Sequence, residues 1–231
     1  MSCADPCGIL GPMPAPGEHH PAFEEYCEAI FELREDDIDV IQARISERLE
    51  VSRPAVSEMI KRMEAEGLVE VDKVITLTTA GRDLGERTVR RHRLAERFLT
   101  DVLKLPWAEA HHEAGKWEHV MSDAVEQAMD DLLGHPTTCP HGNPIPGSDY
   151  EAPDHLSLSK IEVGGTFRVE RITEELEFAP GLLEFLESSS IRPGNEGTVV
   201  ASSPDGTLTV TIGDQHVGVG AFASERILVT H

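Results

Sequence analysis

The chain has 231 residues, a length that suits two or three domains. Its composition, 39% apolar with 5% aromatic, excludes a disordered chain and fits a soluble, helix-leaning protein. The net charge of −22 argues against nucleic acid until its distribution is read.

No run approaches the roughly 18–20 apolar residues of a membrane span, so no membrane partner is expected. Residues 1–21 lack the basic start and apolar core of a signal peptide. Cys3, Cys7, Cys27 and Cys139 are scattered rather than arranged as a disulfide framework, which makes a reducing cytoplasm the expected compartment. Between Ala43 and Arg97 there are 12 Lys/Arg and 10 Asp/Glu, against 8 and 32 in the rest of the chain. A segment that holds most of the arginine inside an acidic chain is a candidate DNA face, although solvated helices carry such clusters too.

In chain order, residues 1–22 read as a disordered, Pro- and Gly-rich tail. Phe23, Tyr26, Ile30 and Leu33 recur at helical spacing. A second helix is expected over about 39–49. Ser52 then caps a third, over about 54–66, with Pro54 in its first turn and Gly67 at its end. LVEVDKVITLT follows as two alternating strands with a turn near Asp72 and Lys73. Helix, helix, turn, helix and hairpin is the order of a winged helix-turn-helix domain, assigned to residues 23–86.

Helices over about 82–103, 108–122 and 124–133 have apolar faces broad enough to dimerise, and a Pro-rich linker closes this helical domain at 87–153. From residue 154 the pattern changes to short β-type runs with one helix near 180–188, read as a small SH3-like β-barrel. The class is therefore α+β.

On the 82–103 helix His92 and Glu96 are four apart and share a face. On the next helix His111, Gly115, Glu118 and His119 fall within about one third of the circumference, taking 100° per residue. Imidazoles and carboxylates converging from two helices suit a divalent first-row metal, whereas one His–Glu pair alone reads as a surface salt bridge. There is no HExxH, GxSxG, phosphate-binding Gly loop or Cys-x-x-C, so nothing calls for catalysis or a small-molecule substrate. For DNA, Ser52, Arg53, Pro54, Ser57 and Glu58 form the exposed start of the recognition helix, while Arg44, Arg48, Lys61, Arg62 and the wing Lys73 suit phosphates.

RRHRLAERFLTDVLKLPWAEAHHEAGKWEHVMSD, with ARISERLEVSRPAVSEMIKRMEAEGLV before it and PHGNPIPG after it, resembles the diphtheria toxin repressor/iron-dependent regulator family over about residues 23–147. The resemblance implies a homodimeric repressor of double-stranded operator DNA, activated by Fe(II) or Mn(II), with two metal sites per subunit. It maps an ancillary site to His92, Glu96 and His111, joined by Glu174 and Glu177 of the C-terminal domain, and a primary site to Glu25, Glu28, Gly115, Glu118 and His119. Iron-type members have methionine where this chain has Glu25 and cysteine where it has Gly115, while manganese-type members have carboxylates at the positions of Glu25 and Glu28. A set of oxygen and imidazole without sulfur leans to Mn(II) over Fe(II). The family commonly has glutamine at Glu58, so a different operator preference is expected. Cys27 and Cys139 match no family ligand and are expected as packed or idle thiols. Two rivals stay open: a metal-independent winged-helix regulator in which the His/Glu cluster only stabilises the dimer, and a metalloenzyme built on a helical His/Glu cage.

Overall fold

A computed structural model describes residues 21–231. The expected tail, with Cys3 and Cys7, lies outside the described residues, except that Pro21 and Ala22 already belong to the first helix. The DNA-binding region runs α1 (Pro21–Glu35), α2 (Gln42–Arg48), α3 (Arg53–Ala65), β1 (Val69–Val71) and β2 (Ile75–Leu77). Ser52 caps α3 through Ala55 N–H, and Val56, Ile60 and Met63 turn its apolar face inward against Ile30, Ile45 and Leu84. β1 and β2 pair antiparallel, Val69 opposite Leu77, and form the wing.

The helical region follows as α4 (Thr79–Arg97), α5 (Trp107–Trp117) and α6 (Asp123–Leu133). Where one helix to residue 103 was expected, α4 changes at Phe98 into a π-helical stretch through Val102. α1 crosses α4 at Gly85, where a Cβ would stand 2.8 Å from the Cys27 carbonyl oxygen, so this crossing needs a residue without a side chain.

Residues 134–155 carry no helix or longer strand, as expected of a linker, yet they are not a tether. Cys139, His141, Asn143 and Ile145 are buried, and Cys139 N–H donates to the Asn143 carbonyl at 2.8 Å. His141 can reach inward because Gly142 sits at φ +90°, with its Cα side closed by the Glu170 carbonyl, 2.1 Å from where a Cβ would be. Gly142→Ala combines the strained φ with that clash and is expected to destabilise the fold by roughly 2–4 kcal/mol. A urea titration read against the parent checks this, and an unchanged midpoint would refute it.

The C-terminal region contains β3 (Leu156–Ser157), β4 (Thr166–Ile172), α7 (Glu174–Glu177), α8 (Leu182–Ser188), β5 (Glu196–Ser202), β6 (Leu208–Ile212), β7 (Gln215–Val219), α9 (Ala221–Ser224) and β8 (Ile227–Thr230). One antiparallel sheet orders them β3-β8-β4-β5-β6-β7. The expected barrel is corrected here: β3 and β7 are edges, and the sheet does not close. α8 confirms the expected helix, while the single turn α7 has too few residues for a periodic signal. Trp107 of α5 is buried in this domain's core and its backbone N–H donates to Glu187 at 3.0 Å, so the helical and C-terminal regions share packing.

Candidate metal centre and nucleic-acid interface

α4 and α5 place His92, Glu96 and His111 together as their spacing requires. Glu96 Oε1 lies 2.9 Å from His111 Nδ1 and 3.3 Å from His92 Nε2. Around the same carboxylate the loop adds His141, 3.6 Å away, with Cys139 beside it. Glu177 of α7 completes this cage, 2.8 Å from His141 Nδ1 and 3.3 Å from His111 Nδ1. Cys27 is a packed thiol whose burial, aided by Glu24, pushes it up to about 12. Cys139 is packed as expected, 1% exposed, and it also lies beside Glu96 and His141 within metal-ligand reach.

The second group forms where α1 meets α5. His92 Nδ1 lies 2.5 Å from Glu118, and Glu28 joins them. His92 therefore faces both groups, which share a ring rather than standing apart. His119 Nε2 is 3.2 Å from Glu118, while its Nδ1 is 2.8 Å from Glu24, an acid the sequence reading passed over. Glu25 is exposed and lines, with Glu28, Gly115 and His119, a cavity of about 510 Å³. A Cβ on Gly115 would meet nothing within 4 Å, so the cavity has room for a side chain there.

Glu174 departs from its expected place. It is buried on the salt bridge to Arg93, 2.8 Å away, and Arg48 also approaches it at 3.8 Å, so it neutralises arginines rather than joining the imidazoles. Cys139 and His141 escaped the sequence reading because an irregular loop has no period. The one local signal was a thiol and an imidazole two residues apart in CPHGN.

Electrostatics set both groups up for a cation. Burial raises Glu28 well above the usual carboxylate range, and the neighbouring Glu118 and Glu32 push it further. Burial alone would lower His111, but its hydrogen bonds to Glu177 and Glu96 outweigh it and lift the imidazole to about 10. His92 is likewise depressed by burial and raised further by Glu96 and Glu118. Burial would raise Glu96, yet His141 and His92 hold it well below the usual range. The buried His141 Nε2 has no hydrogen-bond partner. Closely spaced carboxylates, imidazoles and a thiol, with the His141 Nδ1 turned toward Glu96 and Glu177, fit a divalent metal.

On the DNA side Arg53, Pro54, Glu58, Lys61 and Arg62 are exposed on α3, Ser57 is partly covered, and Ser52 spends its hydroxyl on the cap. Arg44 is exposed and 3.3 Å from Glu47, and Lys73 is exposed on the wing. Arg48 corrects its assignment to phosphate: its side chain is 7% exposed and turns inward to Glu32. Arg90 and Arg91 pair with Glu126 of α6, so the arginine-rich segment is only partly a DNA face.

These features define a winged-helix regulator whose helical middle carries buried His/Glu clusters closed by a C-terminal sheet domain. Residues 20–75 match the DNA-binding domain of the iron dependent repressor family, 78–147 its metal binding and dimerisation domain, and 156–231 the FeoA domain. The chain belongs to the iron-dependent repressor family. It is 38% identical over 202 residues to the iron-dependent repressor IdeR of Mycobacterium tuberculosis (strain ATCC 25618 / H37Rv), covering 82% of this chain and 87% of that protein. It is also 38% identical over 202 residues to the diphtheria toxin repressor of Corynebacterium diphtheriae (strain ATCC 700971 / NCTC 13129 / Biotype gravis), covering 81% and 87%. A solved manganese-dependent transcriptional repressor in complex with manganese superposes with a TM-score of 0.80 at 32% identity, over 90% of this chain and 98% of that one.

Proposed function

We propose that this chain is a metal-activated transcriptional repressor that binds double-stranded operator DNA in the cytoplasm as a homodimer and responds to Mn(II) or Fe(II). The observation that carries this reading is the shared ring of His92, between Glu96 and His111 on one side and Glu28 and Glu118 on the other. The metal supplies positive charge that offsets the buried carboxylates. One ion is held by His92, Glu96, His111 and Glu177 with Cys139 and His141. The other is held by Glu28, Glu118 and His119, with Glu25 and the Gly115 backbone at the open cavity. α1 packs through Ile30 and Leu33 into the same core as Ile60 and Met63 of α3, so tying α1 to α5 sets the pitch of the recognition helix. Val120, Val125 and Leu132 are exposed apolar residues on and near α6, which suits a second copy there. The regulator reading is preferred to an enzyme because the family members compared above are repressors.

DNA duplexes selected from a random pool by the Mn(II)-loaded protein provide the test. Binding is expected to weaken by at least about 100-fold when metal is removed by a chelator, a shift of roughly 2.7 kcal/mol. Equal affinity of metal-free and loaded protein would refute the switch.

Gly115→Cys is expected to add a thiolate to the open cavity and move preference from Mn(II) toward softer ions such as Zn(II) or Fe(II), by about tenfold in a competition titration. Relative affinities for the three ions unchanged from wild type would place position 115 outside the site.

A further inference from the structure

Phe178 is the C-cap of the single turn α7 and is 47% exposed, although it lies beside the buried clusters. Its ring has two neighbours from different regions. The His111 imidazole meets it edge-on, with centroids 5.1 Å apart at 87°. The Arg48 guanidinium carbon stands 3.3 Å from its centroid. Arg48 belongs to α2, the first helix of the helix-turn-helix, and is fastened there by Glu32 and by the Glu174 carbonyl at 3.3 Å.

We propose that Phe178 is a positioning residue that transmits metal occupancy from His111 to the DNA-binding head through Arg48. The inference rests on the metal-activated reading above. A metal ligand's ring is held at one orientation by its coordination, and an aromatic packed edge-on against it takes its own plane from that ring. That plane is the platform for the Arg48 guanidinium, whose side chain is only 7% exposed, and the attraction of a cation to an aromatic face grows as the cation is desolvated. Residues of α5, α7 and α2 thus meet in one stack, and the C-terminal domain supplies its middle member. A residue that only filled space would be replaceable by leucine. A residue that offers a π face to a cation is replaceable by tyrosine.

The full chain is compared as wild type, Phe178→Leu and Phe178→Tyr. Mn(II) uptake is followed by calorimetry, and amide hydrogen exchange is followed over residues 42–48 with and without Mn(II). Mn(II) is expected to slow exchange there about tenfold in the wild type and in Phe178→Tyr, and less than about twofold in Phe178→Leu. Phe178→Leu still takes up Mn(II), weakened by no more than about tenfold, because coupling between two sites is reciprocal. Wild-type protection of residues 42–48 in Phe178→Leu overturns the inference, as does failure of Phe178→Tyr to restore it. Loss of Mn(II) uptake in Phe178→Leu also overturns it, by making Phe178 part of the metal cage. Where the wild type takes up only Fe(II), the same comparison is read with Fe(II) under anaerobic conditions. A wild type that takes up neither ion overturns the proposed function and the inference with it, whereas uptake without protection overturns the inference alone.

Discussion

Glu96→Ala is expected to weaken Mn(II) binding by about 100-fold or more, with DNA binding falling in step, while the chain remains folded. Outer residues of metal sites alone contribute roughly 10–100-fold to affinity, and Glu96 stands at the centre of its cage. It is 1% exposed and is the shared counter-charge of His92, His111 and His141. Its removal leaves three imidazoles around a missing acid. Their protons then leave more readily, which helps a metal, but the lost carboxylate outweighs that gain because it is a ligand and a charge together. Glu96→Gln keeps the shape and one oxygen, so it is expected to fall between the two. Calorimetry with Mn(II) decides: an affinity within about threefold of wild type for Glu96→Ala would remove Glu96 from the cage. The same titration reports protons. His111, lifted to about 10, is protonated at neutral pH and must lose that proton to bind a metal. Mn(II) affinity therefore rises with pH across the neutral range, by roughly tenfold per unit for each proton displaced. Heats that do not depend on the buffer's own ionisation enthalpy would contradict this.

The parts of the molecule readable in sequence are those built by local rules. Ser52 and Pro54 mark the start of α3, because a cap acts on backbone groups two or three residues away, whereas Ser122, expected to end the helix before it, in fact caps α6. His92 with Glu96, and His111 with Glu118, were legible because helical spacing alone puts each pair on one side. What sequence spacing could not supply is everything decided by distant partners. The count of arginines in residues 43–97 treats each as free, whereas Arg48 and Arg93 are buried among acids of other regions. Glu174 and Glu177 sit three apart on one turn, yet one faces arginines and the other imidazoles, a split set by what α4 and α5 bring to either side. Cys139 and His141 depend on a loop whose conformation is fixed by Gly142 against β4. Trp107 falls just before the helix expected from 108 and carries no periodic signal, and the C-terminal sheet claims it.

Arg93→Met is expected to destabilise the protein by about 3–5 kcal/mol, the cost of leaving buried charges without their partner. Arg93 is fully buried and its guanidinium is satisfied on every side. Its Nη1 and Nη2 donate to the two oxygens of Glu35, at 3.0 and 2.7 Å, in a bidentate fork. Nη2 also donates to Glu174 at 2.8 Å, and Nη1 to the Pro144 carbonyl. One side chain of α4 thereby joins the end of α1, the loop after α6 and the start of α7. Burial would raise Glu174, and Arg93 and Arg48 overcome that to hold it ionised. With methionine at 93, Glu35 keeps Arg171 at 3.0 Å, but Glu174 loses its nearest cation. Arg93→Lys keeps the charge without the planar fork and is expected to cost less. Adding Glu174→Gln to Arg93→Met removes the stranded carboxylate and is expected to recover part of the loss, a coupling that single substitutions cannot reveal. Urea unfolding followed by tryptophan fluorescence suits the measurement, since Trp107 is buried against His141 between the helical and C-terminal regions. An Arg93→Met midpoint within about 0.5 kcal/mol of wild type would show that Glu35 and Glu174 tolerate each other without the arginine.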